Sequence, residues 1–250
     1  MTILRRMGWL GLFALGSLLT SLAASAASIK DDQAMEEQAY MLTTHYFMYT
    51  VTERSPDQLD KLNKLIDSMQ GLVSSDNNPT LTAAWTDYRA ALQMDPYDQQ
   101  DMVIEDKLLD VLDKRRKLVN ILHADIGTQH LGNVDAGLLF EQSLLMERLT
   151  SEYLRRASDP MGGVVVANTG SNQDDPQQMA LQFTSNMNKL LKDFSGQKAI
   201  YADLVAADRF WNFIRGRMLD FNTNSVPYVI SIFNDKITSR LQDAYHLAAH

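Results

Sequence analysis

Between residues 200 and 247, two neighbouring stretches repeat apolar residues at alternating steps of three and four, and no other feature constrains the fold as strongly. The first stripe comprises Ile200, Leu204, Ala207, Trp211, Ile214, Met218 and Phe221, and the second comprises Val226, Ile230, Phe233, Ile237, Leu241 and Ala244. This spacing puts each set on one face of an α-helix. Polar residues 222–225 separate the stripes, Ser225 can cap the second helix, and Pro227 suits its first turn. The pattern predicts an αα-hairpin that closes a helical bundle.

Similar spacing and helix-start signals predict further helices upstream, over residues 28–54, 55–73, 79–95, 98–122, 135–157 and 176–196. Ser55 and Pro56 mark one helix start, at which we expect Gln58 to reach back and complete a capping box. Gly127 and Gly132 predict a break around residues 128–130. The fold class that follows is all-α, an antiparallel helical bundle of about seven or eight helices.

Residues 159–175 form the one long irregular stretch, with a proline and several glycines around a short valine run at 164–166. A lone strand needs a partner, and the chain offers no second convincing strand. We therefore expect a loop that packs onto the bundle through its valines, and such loops are often functional or disordered. Residues 27–250 are expected to form a single helical-bundle domain, with 159–175 as the position of any split.

The first 26 residues have the features of a cleavable export signal. Arg5 and Arg6 precede an apolar run from Trp9 to Leu22, and Ala24-Ser25-Ala26 supplies small residues for cleavage. The alternative is a retained membrane anchor, but the apolar run is shorter than the roughly 20 residues that a spanning helix needs. We expect removal after Ala26, a periplasmic or secreted protein, and no membrane span after cleavage.

Composition excludes several kinds of chemistry. The chain has no cysteine, so disulfides, thiolate metal sites and cysteine nucleophiles are absent. Its formal charge of −8 comes without any long Lys/Arg cluster, so nucleic acid is not an expected partner. The sequence contains no nucleophile elbow, no dinucleotide-binding glycine motif and no P-loop. We therefore expect no cofactor and favour a non-catalytic protein over an enzyme.

One candidate metal site is the set Met41, His45 and Met48, which share a helical face at steps of four and three. Thioether and imidazole ligands suit copper(I). The competing interpretation is a core stripe in which methionine fills gaps, and the single copy of the pattern favours it. His123 and His130 are seven residues apart, but no helical zinc or di-iron spacing surrounds them, so we interpret them as surface or capping residues.

A candidate ligand site surrounds Trp211, where Arg209, Arg215 and Arg217 could hold a small anionic ligand between helices. Against this, Asp208 and Asp220 lie within helical pairing distance of those arginines, which would then simply face water.

Long helices joined by short turns are similar in general architecture to the extracytoplasmic input domains of bacterial chemoreceptors and histidine kinases, which are helical bundles that bind small ligands. The chain departs from those receptors in having no second membrane span and no output region, so we do not assign it to them. We expect an exported bundle that binds a ligand or acts as a protein-interaction accessory of the cell envelope. The alternatives are an enzyme with an unrecognised helical active site and a copper or other metal handler. The apolar stripes also fit an interface between two copies, so a homodimer is a further option.

Overall fold

The computed structural model describes residues 10–127, 134–158, 175–219 and 226–249, with side chains described from residue 31 onward except at 125–127 and 134–135. These residues form eight α-helices, which confirms the all-α bundle prediction. The helices are α1 (Leu10–Val51), α2 (Pro56–Ser75), α3 (Pro79–Leu92), α4 (Glu105–Gly127), α5 (Val134–Ala157), α6 (Pro176–Asp193), α7 (Lys198–Leu219) and α8 (Pro227–Ala248).

The helices pack as two four-helix units placed side by side. In the first unit α1 contacts α2 and α4, and α3 contacts both of those helices; in the second, α5 contacts α6 and α8, and α7 contacts both of those. Within each unit, each helix therefore neighbours the next one along the chain, as in an up-and-down bundle. The two units meet where α1 packs against α5 and, to a much smaller extent, against α8.

The predicted apolar stripes form the core of the second unit. Every described member of the first stripe is buried in α7, while in the second stripe Val226 and Phe233 are only half-buried. Phe221 lies outside the described residues. Burying one large apolar side chain stabilises a fold by roughly 1.5–3 kcal/mol, so these two faces account for much of the hairpin's stability.

The start of α4 differs from the prediction, because the helix begins at Glu105 and not near Asp98. The Asp98 carboxylate accepts the backbone N–H groups of Gln100 and Met102 at 2.8 and 2.9 Å, which holds the preceding residues in a compact turn. Arg54 fixes this turn to the end of α1 through ion pairs of 3.0 Å with Asp95 and 2.7 Å with Asp101. These contacts join distant parts of the sequence, so local helix signals do not reveal them.

Two predicted helix caps also differ. Ser55 and Pro56 take the expected first positions of α2, but the Ser55 side chain makes no capping hydrogen bond, so the predicted capping box is wrong. Gln58 is instead buried and faces His45 of α1. At α8 the capping position is taken by Val226, whose N–H donates to the Tyr153 hydroxyl at 2.8 Å. Ser225, the predicted cap, lies outside the described residues.

Several predictions fall on parts of the chain that the structure does not describe. The loop at 159–174 and the break at 128–133 lie outside the described residues, as do residues 1–9 of the predicted export signal. Helices α5 and α6, on either side of the 159–174 segment, pack against each other within the second unit. The backbone of α1 is helical from Leu10, through the predicted cleavage position. Within the described residues, no helix combines the length and apolarity needed to cross a membrane.

Candidate functional site

Helices α1 and α8 both pack on α5 but scarcely touch each other, and two cavities lie along the space between them. The apolar cavity, of about 160 Å³, is lined by Gln33, Ala34, Glu37, Leu139, Phe140, Ser143, Leu241, Gln242, Tyr245, His246 and Ala249. The polar cavity, of about 250 Å³, is lined by Met41, Thr44, His45, Lys61, Glu147, Asn234, Asp235, Thr238, Ser239 and Gln242. Gln242 lines both, so the two cavities are neighbours along α8.

A buried carboxylate, Glu147 of α5, lines the polar cavity with 3% of its surface exposed. Its Oε2 accepts the Thr44 hydroxyl of α1 at 2.8 Å, and its Oε1 accepts the Asn234 amide of α8 at 2.8 Å. Asn234 in turn accepts the Thr150 hydroxyl at 2.9 Å. Burial raises the pKa of Glu147 to about 7, and the two hydrogen bonds oppose that rise only in part. Among the described residues, the carboxylate therefore has two hydrogen-bond donors and no ion-pair partner.

Three other ionisable groups line the polar cavity. Burial lowers the pKa of His45 below its ordinary value, although nearby Asp235 acts in the opposite direction. Burial also raises the pKa of Asp235, against the attraction of His45 and Lys61. Lys61 is exposed, so the one lysine of this cavity lies at its mouth. His45 Nδ1 is buried and has no hydrogen-bond partner among the described residues.

The apolar cavity has a carboxylate of its own, Glu37 of α1. Its Oε1 accepts the Gln242 amide and the Ser143 hydroxyl, the latter at 3.3 Å, while burial raises its pKa. Gln33, one turn earlier, accepts the Tyr245 hydroxyl at 2.7 Å through Oε1, but its Nε2 is buried without a partner. This cavity therefore combines leucine and aromatic walls with a carboxylate and an unsatisfied amide group.

A separate ion pair joins α1 and α4 beside the cavities. His123 Nε2 lies 2.6 Å from the fully buried Glu36 carboxylate, and this contact raises the pKa of His123. The sequence predicted His123 as a surface or capping residue, and its side chain is 49% exposed. His130 lies outside the described residues.

The structure brings together two of the three predicted metal ligands. Met41 and His45 line the polar cavity, whereas Met48 is buried in the hydrophobic core and does not line it. Among the described side chains, no three His, Cys, Asp or Glu residues form a group that could hold a metal ion.

The residues of the predicted anion site differ in burial. Trp211 is fully buried and donates its indole N–H to the Thr184 hydroxyl at 3.1 Å. Arg209, Arg215 and Arg217 are exposed on α7. The Asp208 carboxylate accepts the Asn212 amide at 2.9 Å. Arg209 is two positions before Trp211 and so faces another side of the helix, whereas Arg215 follows Trp211 by one turn and extends to the surface.

The sequence interpretation missed Glu37, Thr44, Glu147 and Asn234, which define the cavities. One local signal was present, since Asn234 lies four residues after Ile230 and three before Ile237, on the apolar face of α8. A polar residue at such a position needs a buried partner. The partner cannot be identified from the sequence, because Glu147 is 87 residues away.

Comparisons with known proteins add no assignment: no family model, no curated protein and no solved structure matches this chain.

Proposed function

We propose that this chain is an exported, non-catalytic binding protein that holds a small molecule in the cavities between α1, α5 and α8. The observation that carries the proposal is the polar cavity itself, in which the buried Glu147 carboxylate forms no ion pair with any described residue. A buried charged group normally has an ionic partner or several hydrogen bonds, because its removal from water is costly. A bound molecule would supply the interactions that Glu147 lacks.

Unsatisfied polar atoms in both cavities support the same function. Gln33 Nε2 and His45 Nδ1 are buried without partners, and each belongs to a residue that lines a cavity. Native proteins leave few such groups unsatisfied. The mixture of apolar walls with a few polar groups is also typical of small-molecule sites.

The test is native mass spectrometry of the protein purified without denaturation from the cells that make it. Ser239 is exposed at the polar cavity, so Ser239→Trp should cover the cavity without disturbing the core. We expect wild-type protein to carry a small organic adduct that Ser239→Trp lacks. The matched control is Ser185→Trp on α6, another exposed helical serine, which should keep the adduct. Bare protein in the wild-type sample, or equal adducts in all three, would contradict the proposal.

A second candidate is an enzyme, favoured by the convergence of His45, Glu147 and Asp235 with shifted pKa values in one cavity. Burial is the largest cause of all three shifts, and both Glu147 oxygens already accept hydrogen bonds, which fits binding better than proton transfer. Hydrolysis of p-nitrophenyl acetate or p-nitrophenyl phosphate that is lost in both His45→Gln and Glu147→Gln would favour the enzyme instead.

A further inference from the structure

We propose that the molecule held between α1, α5 and α8 is a linear diamine or polyamine, with one ammonium group at Glu37 and another at Glu147. This inference rests on the proposed binding function and assigns its ligand class.

The charges around the two cavities are arranged to favour a cation. Glu147 is buried and Glu37 is half-buried, and their described hydrogen-bond donors, Ser143, Gln242, Thr44 and Asn234, are all neutral. The basic groups that line the cavities, Lys61 and His246, are exposed. An ammonium ion would give the buried Glu147 carboxylate an opposite charge, and at Glu37 it would add to the attraction of the exposed His246.

The spacing of the two carboxylates favours a ligand with two cationic groups. Glu37 is seven residues before Thr44 on α1, which is a rise of about 10 Å, while Ser143 and Glu147 are one turn apart, a rise of about 6 Å. Ser143 contacts Glu37 and Thr44 contacts Glu147, so each of these two rises runs from the Glu37 end of the site to the Glu147 end. The carboxylates are thus separated by a distance that a short aliphatic chain can span.

The groups around the two carboxylates suit an alkyl chain that carries N–H donors. Met41 lies midway between Glu37 and His45 on the same face of α1 and presents a flexible thioether to the polar cavity. Neutral His45 offers an unpartnered ring nitrogen as an acceptor. The Tyr245 hydroxyl can accept as well as donate, so the Gln33 amide can turn its oxygen toward a ligand N–H.

Titration calorimetry with three five-carbon ligands tests the ligand class. Cadaverine has two ammonium groups, pentylamine has one, and glutarate has two carboxylates; spermidine extends the series. We expect cadaverine or spermidine to bind one molecule per chain, pentylamine to bind about tenfold or more weakly, and glutarate not to bind. Glu37→Gln and Glu147→Gln should each weaken diamine binding about tenfold or more. Asp67→Asn, the same change at an exposed carboxylate of α2, should leave it unchanged.

Proton release gives a readout that needs only the wild-type protein. Because burial keeps part of Glu147 protonated near neutral pH, an ammonium that ionises it must expel a proton. Diamine affinity should therefore rise between about pH 5 and pH 8, with proton release measured from the heat in buffers of different ionisation enthalpy. The other titratable groups of the two cavities are Glu37 and His45 on α1, Lys61 on α2, and Asp235, Tyr245 and His246 on α8.

Three outcomes would overturn the inference. The first is that glutarate or pentylamine binds as tightly as cadaverine, and the second is that no amine binds. The third is that both glutamine variants bind diamines like wild type, which is the result expected if the acidic surface alone attracts diamines. If amines fail while the native adduct is present and is lost in Ser239→Trp, the binding function stands and only the ligand class falls. If the adduct is absent as well, both proposals fail.

Discussion

At the scale of single residues, the unusual feature is a carboxylate that three helices surround. Thr44, Glu147 and Asn234 come from α1, α5 and α8, and their hydrogen bonds fix how these helices meet. Replacing such a network with apolar residues is often neutral or stabilising, so its presence points to a role beyond stability. Our account assigns that role to ligand binding.

The raised pKa of Glu147 makes the stability of the protein depend on pH. The folded state holds this proton more tightly than the unfolded state, so the stabilisation is complete below pH 4.5, the ordinary value, and is lost as pH rises through about 7. At about 1.4 kcal/mol per pKa unit, the loss is roughly 3 kcal/mol. Urea unfolding between about pH 5 and pH 8 should show this loss of stability, and Glu147→Gln should make the unfolding free energy depend less on pH. If the unfolding free energy of that variant depends on pH as strongly as that of wild type, a group other than Glu147 causes the pH dependence.

Removing one donor from this network should be costly. Asn234→Leu removes the donor to Glu147 Oε1 and the acceptor of the Thr150 hydroxyl, and we expect the free energy of unfolding to fall by about 1–3 kcal/mol. Asn188→Leu on α6 is the control, because that asparagine is exposed and its replacement should change stability by less than about 0.5 kcal/mol. If the two substitutions change the unfolding free energy measured in urea by the same amount, the hydrogen bonds of Asn234 do not contribute to stability.

At the scale of helices, the apolar stripes largely determine which face each helix buries. On α7, Trp211 is fully buried, whereas Phe213, two residues later, is 59% exposed and stacks on Phe233. The two aromatic residues have similar chemistry, so their different positions on the helix account for the difference in burial.

A pair of alanine substitutions checks this assignment. Trp211→Ala should lower the free energy of unfolding by about 3–5 kcal/mol, because it removes a large core side chain and its indole hydrogen bond. Phe213→Ala should cost about 1 kcal/mol or less, the size of an exposed aromatic contact. Chemical denaturation of both variants measures the difference, and comparable losses would show that the stripe does not determine burial.

Sequence patterns predicted the helices better than the site for a physical reason. Helix periodicity and proline positions are local, so α2, α3, α6 and the hairpin of α7 and α8 follow from short windows of sequence. The turn before α4 depends on Arg54, which reaches residues more than 40 positions away. The cavities depend on pairs such as Glu147 and Asn234, which only the packing of whole helices brings together.

At the scale of the whole molecule, the site lies where the two four-helix units meet. Helix α1 belongs to the first unit, while α5 and α8 belong to the second, so a ligand between them would contact both. Such a ligand should therefore strengthen the junction between the units and raise the melting temperature of the protein.

Export remains a prediction at this scale. The first 26 residues predict removal after Ala26, so the protein isolated from the periplasm or medium should begin at Ala27. Amino-terminal sequencing and intact mass measure this directly. Protein recovered only from membranes with Arg5 and Arg6 still present would instead indicate a retained anchor.

The most direct test of the central claim locates the ligand on the protein. Isotopically labelled protein is titrated with the low-molecular-weight extract of the cells that make it, and nuclear magnetic resonance records which amide signals shift. Our account predicts shifts at Gln33, Asn234 and Gln242, whose side-chain amides line the two cavities. Shifts that cluster at Arg209, Arg215 and Arg217 instead, or no shifts at all, would contradict it.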